Sequence, residues 1–172
     1  MSNLRYKSME VFLAHAVALE REAVEQLREV AHMMEVHNNQ GLYELFSELA
    51  GYGLEHAEAI EALARDRELP SFKPWEYEWP DDESPETGDT SDLHYQMTPQ
   101  QALNLALSSE RKAQHFYRDI AEYGETDKIR ALAREFAEEE AEHVQLIEDK
   151  LKNTADVGAD WAADLDPPHM PE

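Results

Sequence analysis

The sequence predicts an all-α protein: a four-helix bundle made of two helical hairpins joined by a long crossover. Three observations lead to this prediction. Apolar residues recur at helical spacing in four long stretches, and residues typical of helix ends bound each stretch. A proline-rich segment separates the second stretch from the third, and the two pairs of stretches resemble each other in sequence. With 172 residues, 42% of them hydrophobic and only 6 of them glycine, the chain has the size and composition of one ordered domain.

The first hairpin is predicted to contain helices over residues 8–36 and 40–68. Ser8 is a suitable N-cap, and the pair Asn38-Asn39 marks the break after the first helix. Pro70 ends the second helix, because proline lacks a backbone N–H and its ring clashes with the preceding turn.

The second hairpin is predicted to begin at Thr98. Thr98 is a good N-cap, Pro99 suits the first helical position, and Gln101 can close a capping box. This third helix is expected to end at Gly124, since glycine is the commonest stop after a helix. The fourth helix is expected to cover about residues 127–152.

Two segments lie outside the four predicted helices. Residues 70–97 contain four prolines and an aromatic run from Trp75 to Trp79 among many acidic residues. A segment this long is expected to run the length of the bundle as a crossover, so that the second and third helices are parallel and its aromatic rings pack against the bundle. Residues 1–152 would then form the bundle, and the acidic residues 153–172 a loosely held tail.

The two hairpins share a sequence repeat. An offset of 90 positions aligns identical residues of the first and third helices: Leu13, Ala16, Glu20, Arg21, Ala23, Arg28 and Ala31 correspond to Leu103, Ala106, Glu110, Arg111, Ala113, Arg118 and Ala121. In the second and fourth helices an offset of 87 aligns Leu45, Ala50, Glu55, His56, Ile60 and Glu61 with Leu132, Ala137, Glu142, His143, Ile147 and Glu148. Helical patterning explains part of this agreement, but the Glu and His matches indicate two related halves.

Composition excludes several classes of protein. A net charge of −23 opposes nucleic-acid binding, because the chain has too little positive charge to neutralise phosphates. Without cysteine there are no disulfides, thiolate sites or cysteine nucleophiles, so a metal would be held by oxygen and nitrogen ligands, as iron, manganese or zinc are. No apolar run reaches the roughly 18 residues of a membrane-spanning helix, and residues 1–9 lack the pattern of a signal peptide. We therefore expect a cytoplasmic protein without membrane contact.

Each predicted helix carries a polar side chain in the middle of its apolar face. These residues are Glu20, His56, Glu110, Glu140 and His143. An isolated buried carboxylate costs several kcal/mol, and no lysine or arginine lies on these faces to offset that cost. A divalent cation would keep the carboxylates ionised. The pattern therefore predicts a metal site in the bundle core, with a neutral, hydrogen-bonded Glu and His core as the alternative.

This arrangement resembles the ferritin-like superfamily, and within it the rubrerythrin-type proteins. The family places one Glu on the first helix, Glu-x-x-His on the second, one Glu on the third and Glu-x-x-His on the fourth, and these residues bind two iron ions. By this resemblance Glu20, Glu110, Glu140 and His143 match four positions, and His56 matches the histidine of the second motif. The resemblance covers about residues 8–152 and implies a ferritin-like bundle with two irons, with manganese or zinc left open.

The second predicted helix departs from the family pattern. Gly53 stands where the Glu of Glu-x-x-His is expected. Glu55 lies about 100° around the helix from His56 and cannot replace that carboxylate without distortion. Tyr52 or Glu139 could fill the gap instead. A single tightly bound ion is the alternative to two.

Other polar residues have simpler interpretations. Tyr117 lies two turns after Glu110 on the same face, and we expect a core tyrosine hydrogen-bonded to a site carboxylate, with a possible catalytic role in redox chemistry. Three acidic residues are expected to form a solvated helix face: Glu138, Glu139 and Glu142. Six histidines, including His15, have no partner at a metal-binding spacing and are interpreted as surface or loop residues.

Two functional hypotheses follow. The first is an iron-binding oxidoreductase that oxidises iron or reduces peroxide. Because the cysteine-ligated iron domain of rubrerythrins has no counterpart in a chain without cysteine, this hypothesis needs a separate electron donor, and bundles of this type suggest a homodimer or larger homo-oligomer. The second is a helical assembly or interaction module with a degenerate or single-metal site.

Overall fold

The computed structural model describes residues 3–79 and 97–164, with side chains described as far as residue 154. The described residues form five α helices, one 3-10 turn at Pro74–Glu76 and no strand: the helices are α1 (Leu4–Lys7), α2 (Met9–Val36), α3 (Gln40–Leu63), α4 (Pro99–Tyr123) and α5 (Asp127–Asp164). Helices α2 to α5 are the four predicted helices, and the all-α prediction is confirmed. None of the helices within these residues combines the length and apolar character needed to span a membrane.

The predicted helix starts are confirmed by their caps. Ser8 Oγ accepts a hydrogen bond of 3.2 Å from the Val11 N–H at the start of α2. At α4, Thr98 Oγ1 accepts from the Gln101 N–H at 3.1 Å, while Gln101 Oε1 accepts from the Thr98 N–H at 3.0 Å, which completes the predicted capping box. After α2 the chain reverses through Asn38, whose φ of 58° lies in the left-handed region that asparagine tolerates.

Two helix ends differ from the prediction. Helix α3 ends at Leu63 rather than near residue 68, and residues 65–68 are all charged and exposed, so they add no apolar face to continue the helix on the bundle. Helix α5 continues to Asp164 rather than ending near residue 152. The first proline after residue 152 is Pro167, so nothing forces the helix to stop earlier. Residues 165–172 of the predicted tail lie outside the described residues.

Two apolar clusters fill the two ends of the bundle. The first combines the beginnings of α2 and α5 with the ends of α3 and α4, represented by Phe12, Ile129, Ile60 and Ile120. The second combines the ends of α2 and α5 with the beginnings of α3 and α4, represented by Met34, Ile147, Phe46 and Leu103. Helices α2 and α5 therefore run in one direction, and α3 and α4 in the other.

The crossover connects these two ends. Trp79 belongs to the first cluster and Met97 to the second, so the two described ends of the crossover lie at opposite ends of the bundle. The predicted crossover between two hairpins with parallel α3 and α4 is therefore confirmed, although residues 80–96 lie outside the described residues. Of the aromatic rings expected to pack against the bundle, Tyr77 and Trp79 do so, whereas 77% of the surface of Trp75 is exposed.

His15 ties the crossover to α2, and its interpretation as a surface or loop residue was wrong. The side chain is fully buried. Its Nδ1 donates to the Val11 carbonyl at 2.8 Å, and its Nε2 accepts from the Glu78 N–H at 2.8 Å. Aromatic rings pack around the imidazole, from Phe72, Tyr77, Trp79 and Phe116. The sequence did not indicate this, because the partners lie more than 50 residues away in a segment without regular periodicity.

Candidate metal centre

The five polar residues predicted from the helical faces lie together between the two apolar clusters. Glu20 comes from α2, His56 from α3, Glu110 from α4, and Glu140 with His143 from α5. The three glutamates and His56 are buried, and the His143 side chain is 13% exposed. All four helices therefore contribute to one polar centre in the middle of the bundle.

These residues form two groups that share one member. Ligand atoms of Glu20, His56 and Glu140 lie within 4.8 Å of one another, and so do those of Glu110, Glu140 and His143. Glu140 belongs to both groups. Its carboxylate has two oxygens, so this side chain is positioned to contact two cations at once.

In the first group, His56 lies between two carboxylates. Its Nδ1 is 3.0 Å from Glu20 Oε1, and its Nε2 is 3.0 Å from Glu139 Oε2. Both nitrogens are buried, yet neither makes a well-aligned hydrogen bond to its neighbour. A buried imidazole surrounded by carboxylate oxygens without aligned bonds fits a site whose nitrogen and oxygen donors converge on a cation.

In the second group, His143 faces Glu110 and Glu140. Its Nδ1 is 3.5 Å from Glu110 Oε2 and 3.5 Å from Glu140 Oε2, longer than a well-formed N–H···O bond. The ring stacks on Tyr52, with centroids 6.0 Å apart and planes within 12°. This group is the more complete of the two, because the entire Glu-x-x-His motif of α5 takes part in it.

The carboxylates favour protonation of both histidines when no metal is bound. Burial lowers the pKa of His56, but Glu20 and Glu139 outweigh it and hold that pKa above its ordinary value. Burial likewise lowers the pKa of His143, and Glu110 is the main group that raises it above the ordinary value. Two imidazolium groups can therefore balance the buried carboxylates, and a divalent ion would replace their protons.

The glutamates respond in different directions. Burial raises the pKa of Glu110, but its contacts with His143 and Glu140 and the charge of His143 bring that pKa below the ordinary value. The pKa of Glu139, in contrast, is raised, mainly by burial. The charge of His56 lowers it, but the charges of Glu135 and Glu20 raise it further. The buried carboxylate of Glu110 thus favours its ionised form, which is the form that can bind a metal.

Tyr117 lies directly behind the first group. As predicted, this core tyrosine bonds to a site carboxylate: its hydroxyl donates to Glu20 Oε1 at 2.7 Å. The ring is fully buried and packs against Phe12, Phe116 and Phe136. These contacts fix the hydroxyl and, through it, the carboxylate of Glu20.

Glu139 was expected on a solvated helix face and was also one of the two candidates for the gap at Gly53. Only 42% of its side chain is exposed, and it contacts His56. The hydroxyl of Tyr52, the other candidate for the gap at Gly53, instead donates to Glu48 at 2.6 Å, a carboxylate outside the two groups. The signal was present in the sequence: Glu139 directly precedes Glu140, and the second hairpin repeats the first.

Gly53 allows α2 and α3 to approach closely beside the centre. A Cβ at this position would lie 3.1 Å from Val24 Cγ2 on α2, closer than an ordinary contact. At Gly51, two residues earlier, a Cβ would meet nothing within 4 Å. Of these two glycines of α3, Gly53 is therefore the one that close packing requires.

An open pocket connects the centre with solvent. It has a volume of about 420 Å³ and lies between α3 and α5, where His56, Glu139 and His143 form its inner wall. Glu55 and Glu142 also line this pocket. Both residues are exposed and lie on the outer wall of the pocket rather than in the core. For Glu55 this agrees with its position about 100° around the helix from His56. A small molecule or a hydrated cation can reach the two histidines along this route.

Comparisons with known proteins agree with this geometry. A model of the ferritin-like domain family matches residues 6–157. The fold is also similar to the crystal structure of an uncharacterized conserved protein from Magnetospirillum magnetotacticum MS-1, with a TM-score of 0.73 and 36% sequence identity, over 85% of this chain and 95% of that one. No curated protein matches the chain.

Proposed function

The chain belongs to the ferritin-like domain family, and from that premise we propose that it binds iron at the buried carboxylate and histidine centre, as a rubrerythrin-type di-iron protein. One observation carries the proposal: four helices each direct a buried ionisable group to one point. Among the described residues, no lysine or arginine belongs to the buried polar set that could neutralise these carboxylates. Metal ions are the usual partners of such groups in helical bundles.

The residues divide naturally between two ions. Glu20 and His56 would hold one, Glu110 and His143 the other, and Glu140 would contact both. Oxygen and nitrogen donors of this kind suit iron, with manganese or zinc as competitors. Bound iron would supply one-electron redox chemistry toward oxygen or peroxide, which makes iron oxidation or peroxide reduction the activity we propose.

The surrounding residues would support that chemistry. Tyr117 holds Glu20 through its hydroxyl and is the nearest aromatic hydroxyl placed to donate a proton or an electron at the first group. Phe136 packs edge-on against His56 with centroids 4.7 Å apart and limits water on that side. The pocket between α3 and α5 would admit the small oxidant. Electrons would come from a separate donor protein, and we propose a cytoplasmic homodimer or larger homo-oligomer as the working form.

A second candidate is a helical assembly module with a degenerate site. Gly53 in place of a carboxylate and the 77% exposure of Trp75 favour it. The two proposals differ in the effect of metal on stability. A metal that binds only the folded protein stabilises it by about 2.7 kcal/mol at a hundredfold excess over its dissociation constant. An unchanged melting temperature with Fe(II), Mn(II) and Zn(II) would favour the assembly module.

An anaerobic Fe(II) titration of the metal-free protein tests the proposal. We expect saturation near two ions per chain, followed by a rise in near-ultraviolet absorbance when oxygen or peroxide is added. Saturation near one would indicate that only the more complete group works. The double variant Glu110→Ala/Glu140→Ala should bind no iron, while Glu138→Ala, an exposed neighbour on α5, should bind as the original chain does. Iron binding by the double variant would contradict the assignment.

A further inference from the structure

We infer that Glu139 is a positioning residue that orients His56 as a metal ligand, an inference that rests on the proposed metal function. Glu139 would compensate for the carboxylate that is missing at Gly53. Glu139 would do so without contacting the metal itself.

The two ring nitrogens of His56 point in different directions, so each one faces a different carboxylate, that of Glu20 or that of Glu139. Nδ1 is 3.0 Å from Glu20, which belongs with Glu140 to the first group of potential ligands. Nε2 is 3.0 Å from Glu139, on the wall of the pocket. One ion cannot contact both nitrogens of one ring. An ion held with Glu20 and Glu140 therefore takes Nδ1 and leaves Nε2 to Glu139.

A carboxylate at Nε2 fixes the chemical form of the ring. With a cation at Nδ1, the Glu139 carboxylate 3.0 Å from Nε2 would accept the Nε2–H, which would keep the proton off Nδ1 and direct the Nδ1 lone pair toward Glu20 and Glu140. Metal-binding histidines commonly have such a partner, and its loss typically weakens metal binding by about 10- to 100-fold. Because Gly53 leaves the first group one carboxylate short, the orientation of its single imidazole matters more.

The internal repeat gives independent support. Tyr52 and Glu139 occupy equivalent positions, 87 residues apart, as His56 and His143 do. Each one contacts the histidine of the other hairpin: Tyr52 stacks on His143, and Glu139 approaches Nε2 of His56. In both hairpins the residue at this position therefore contacts the histidine of the other hairpin: Tyr52 does so through its ring, and Glu139 through its carboxylate.

Co(II) binding, followed by visible absorption, tests this inference. Glu139→Gln keeps the size of the side chain and removes its charge. We expect one of the two Co(II) binding events to weaken by about 10- to 100-fold, while the other is unchanged. The saturated spectrum should keep its shape and intensity, because the number of ligands is the same. Glu142→Gln is the matched control, since it removes the same charge from the same pocket without a contact to His56.

The outcomes distinguish this inference from the proposed function. If the original chain binds two Co(II) ions and Glu139→Gln binds them as tightly as Glu142→Gln does, the positioning role is wrong while the metal site stands. A changed saturated spectrum would make Glu139 a direct ligand and also overturn the inference. If the original chain binds no Co(II), both proposals fail.

The position of the remaining proton provides a second readout. Nitrogen NMR of the Zn(II)-loaded protein should show His56 bound through Nδ1 and protonated at Nε2. A proton on Nδ1 would overturn the inference even if the affinities changed as expected.

Discussion

The α2–α3 hairpin and the α4–α5 hairpin contribute unequally to one centre. Aligned at the repeat, position 140 of α5 is a glutamate shared by both groups of potential ligands, whereas its equivalent, Gly53 of α3, has no side chain. Position 117 of α4 is a tyrosine bonded to Glu20, whereas its equivalent in α2 is Leu27. Position 15 of α2 is a histidine that holds the crossover, whereas its equivalent in α4 is Leu105.

The difference shows how two related hairpins can divide their tasks. The α4–α5 hairpin supplies the larger share of the potential ligands and the tyrosine. The α2–α3 hairpin contributes Glu20 and His56, packs closely at Gly53 and holds the crossover. Substitutions at equivalent positions therefore test whether the asymmetry is functional.

The largest difference is expected between positions 140 and 53. Glu140→Ala should weaken binding of both ions by at least about 100-fold, beyond the usual effect of losing an orienting partner, because both groups lose a ligand. Gly53→Ala should leave metal binding unchanged, since no ligand is altered. Calorimetric titration with Fe(II) or Co(II) measures both. Comparable losses in the two variants would show that Gly53 contributes to the site through its backbone or its packing.

The second difference concerns the hydroxyl of Tyr117. Tyr117→Phe removes the donor to Glu20 in a fully buried environment, and hydrogen bonds to charged groups contribute about 1.5 to 3 kcal/mol. We expect the metal-free protein to lose stability in that range in urea unfolding. Leu27→Ile, a conservative change at the equivalent position, should cost less than about 1.5 kcal/mol. Equal costs would mean that the bond to Glu20 contributes nothing beyond packing.

The third difference is the response of His15 to pH. Burial is the main cause that lowers the pKa of His15 below its ordinary value of 6.5. The unfolded chain therefore binds a proton that the folded chain resists, so this residue destabilises the protein as the pH falls below about 6.5. At neutral pH the same residue stabilises the fold by accepting the Glu78 N–H.

His15→Leu, which introduces the residue of the equivalent position, tests this. It should cost about 1 to 3 kcal/mol at pH 7.5, because the partly buried Glu78 N–H loses its acceptor. The cost should shrink between pH 6.5 and 5, because the folded state of the original chain resists protonation of His15, whereas the variant has no imidazole at this position. Unfolding free energies at the two pH values measure the change. Comparing the unfolding free energy of the variant with that of the original chain cancels the contributions of His56 and His143, which both chains contain. A constant cost would show that His15 does not titrate in this range.

The smallest difference is expected between the two glycines of α3. Gly51→Ala should stabilise the protein by up to about 1 kcal/mol, because alanine is the better helix former and its Cβ meets nothing within 4 Å. Gly53→Ala should gain less or lose stability, since its Cβ would lie 3.1 Å from Val24 Cγ2. Thermal unfolding of the metal-free variants compares them. Equal stabilisation would show that α2 moves to accept the methyl group.

The bundle and the five central residues could be predicted because their signals are periodic and local. Glu20, Glu110 and Glu140 interrupt apolar faces at helical spacing, and the repeat places His56 opposite His143. Helical geometry then allows only one place for these residues, the middle of the bundle. The caps at Ser8 and Thr98 were equally local, since each requires only residues within one turn.

The burial of His15 could not be predicted, and Glu139 was only one of two candidates for the gap at Gly53, because both contacts join distant segments. His15 is buried only because the crossover passes over it, and the crossover has no periodicity from which its path could be read. Glu139 lies between the solvated and buried faces of α5, so its direction depends on how closely α3 approaches.

The connectivity of the helices has a consequence for how the protein folds. Most helix–helix contacts lie within α2–α3 and within α4–α5, and few join the two hairpins. Contacts between neighbouring segments form quickly, whereas distant ones wait for loop closure. Each hairpin is therefore expected to form early. Because each hairpin carries only part of the potential ligands, the complete centre can bind metal only after the two hairpins dock. Stopped-flow mixing with Co(II) during refolding would thus report the final docking step, separately from helix formation measured by circular dichroism.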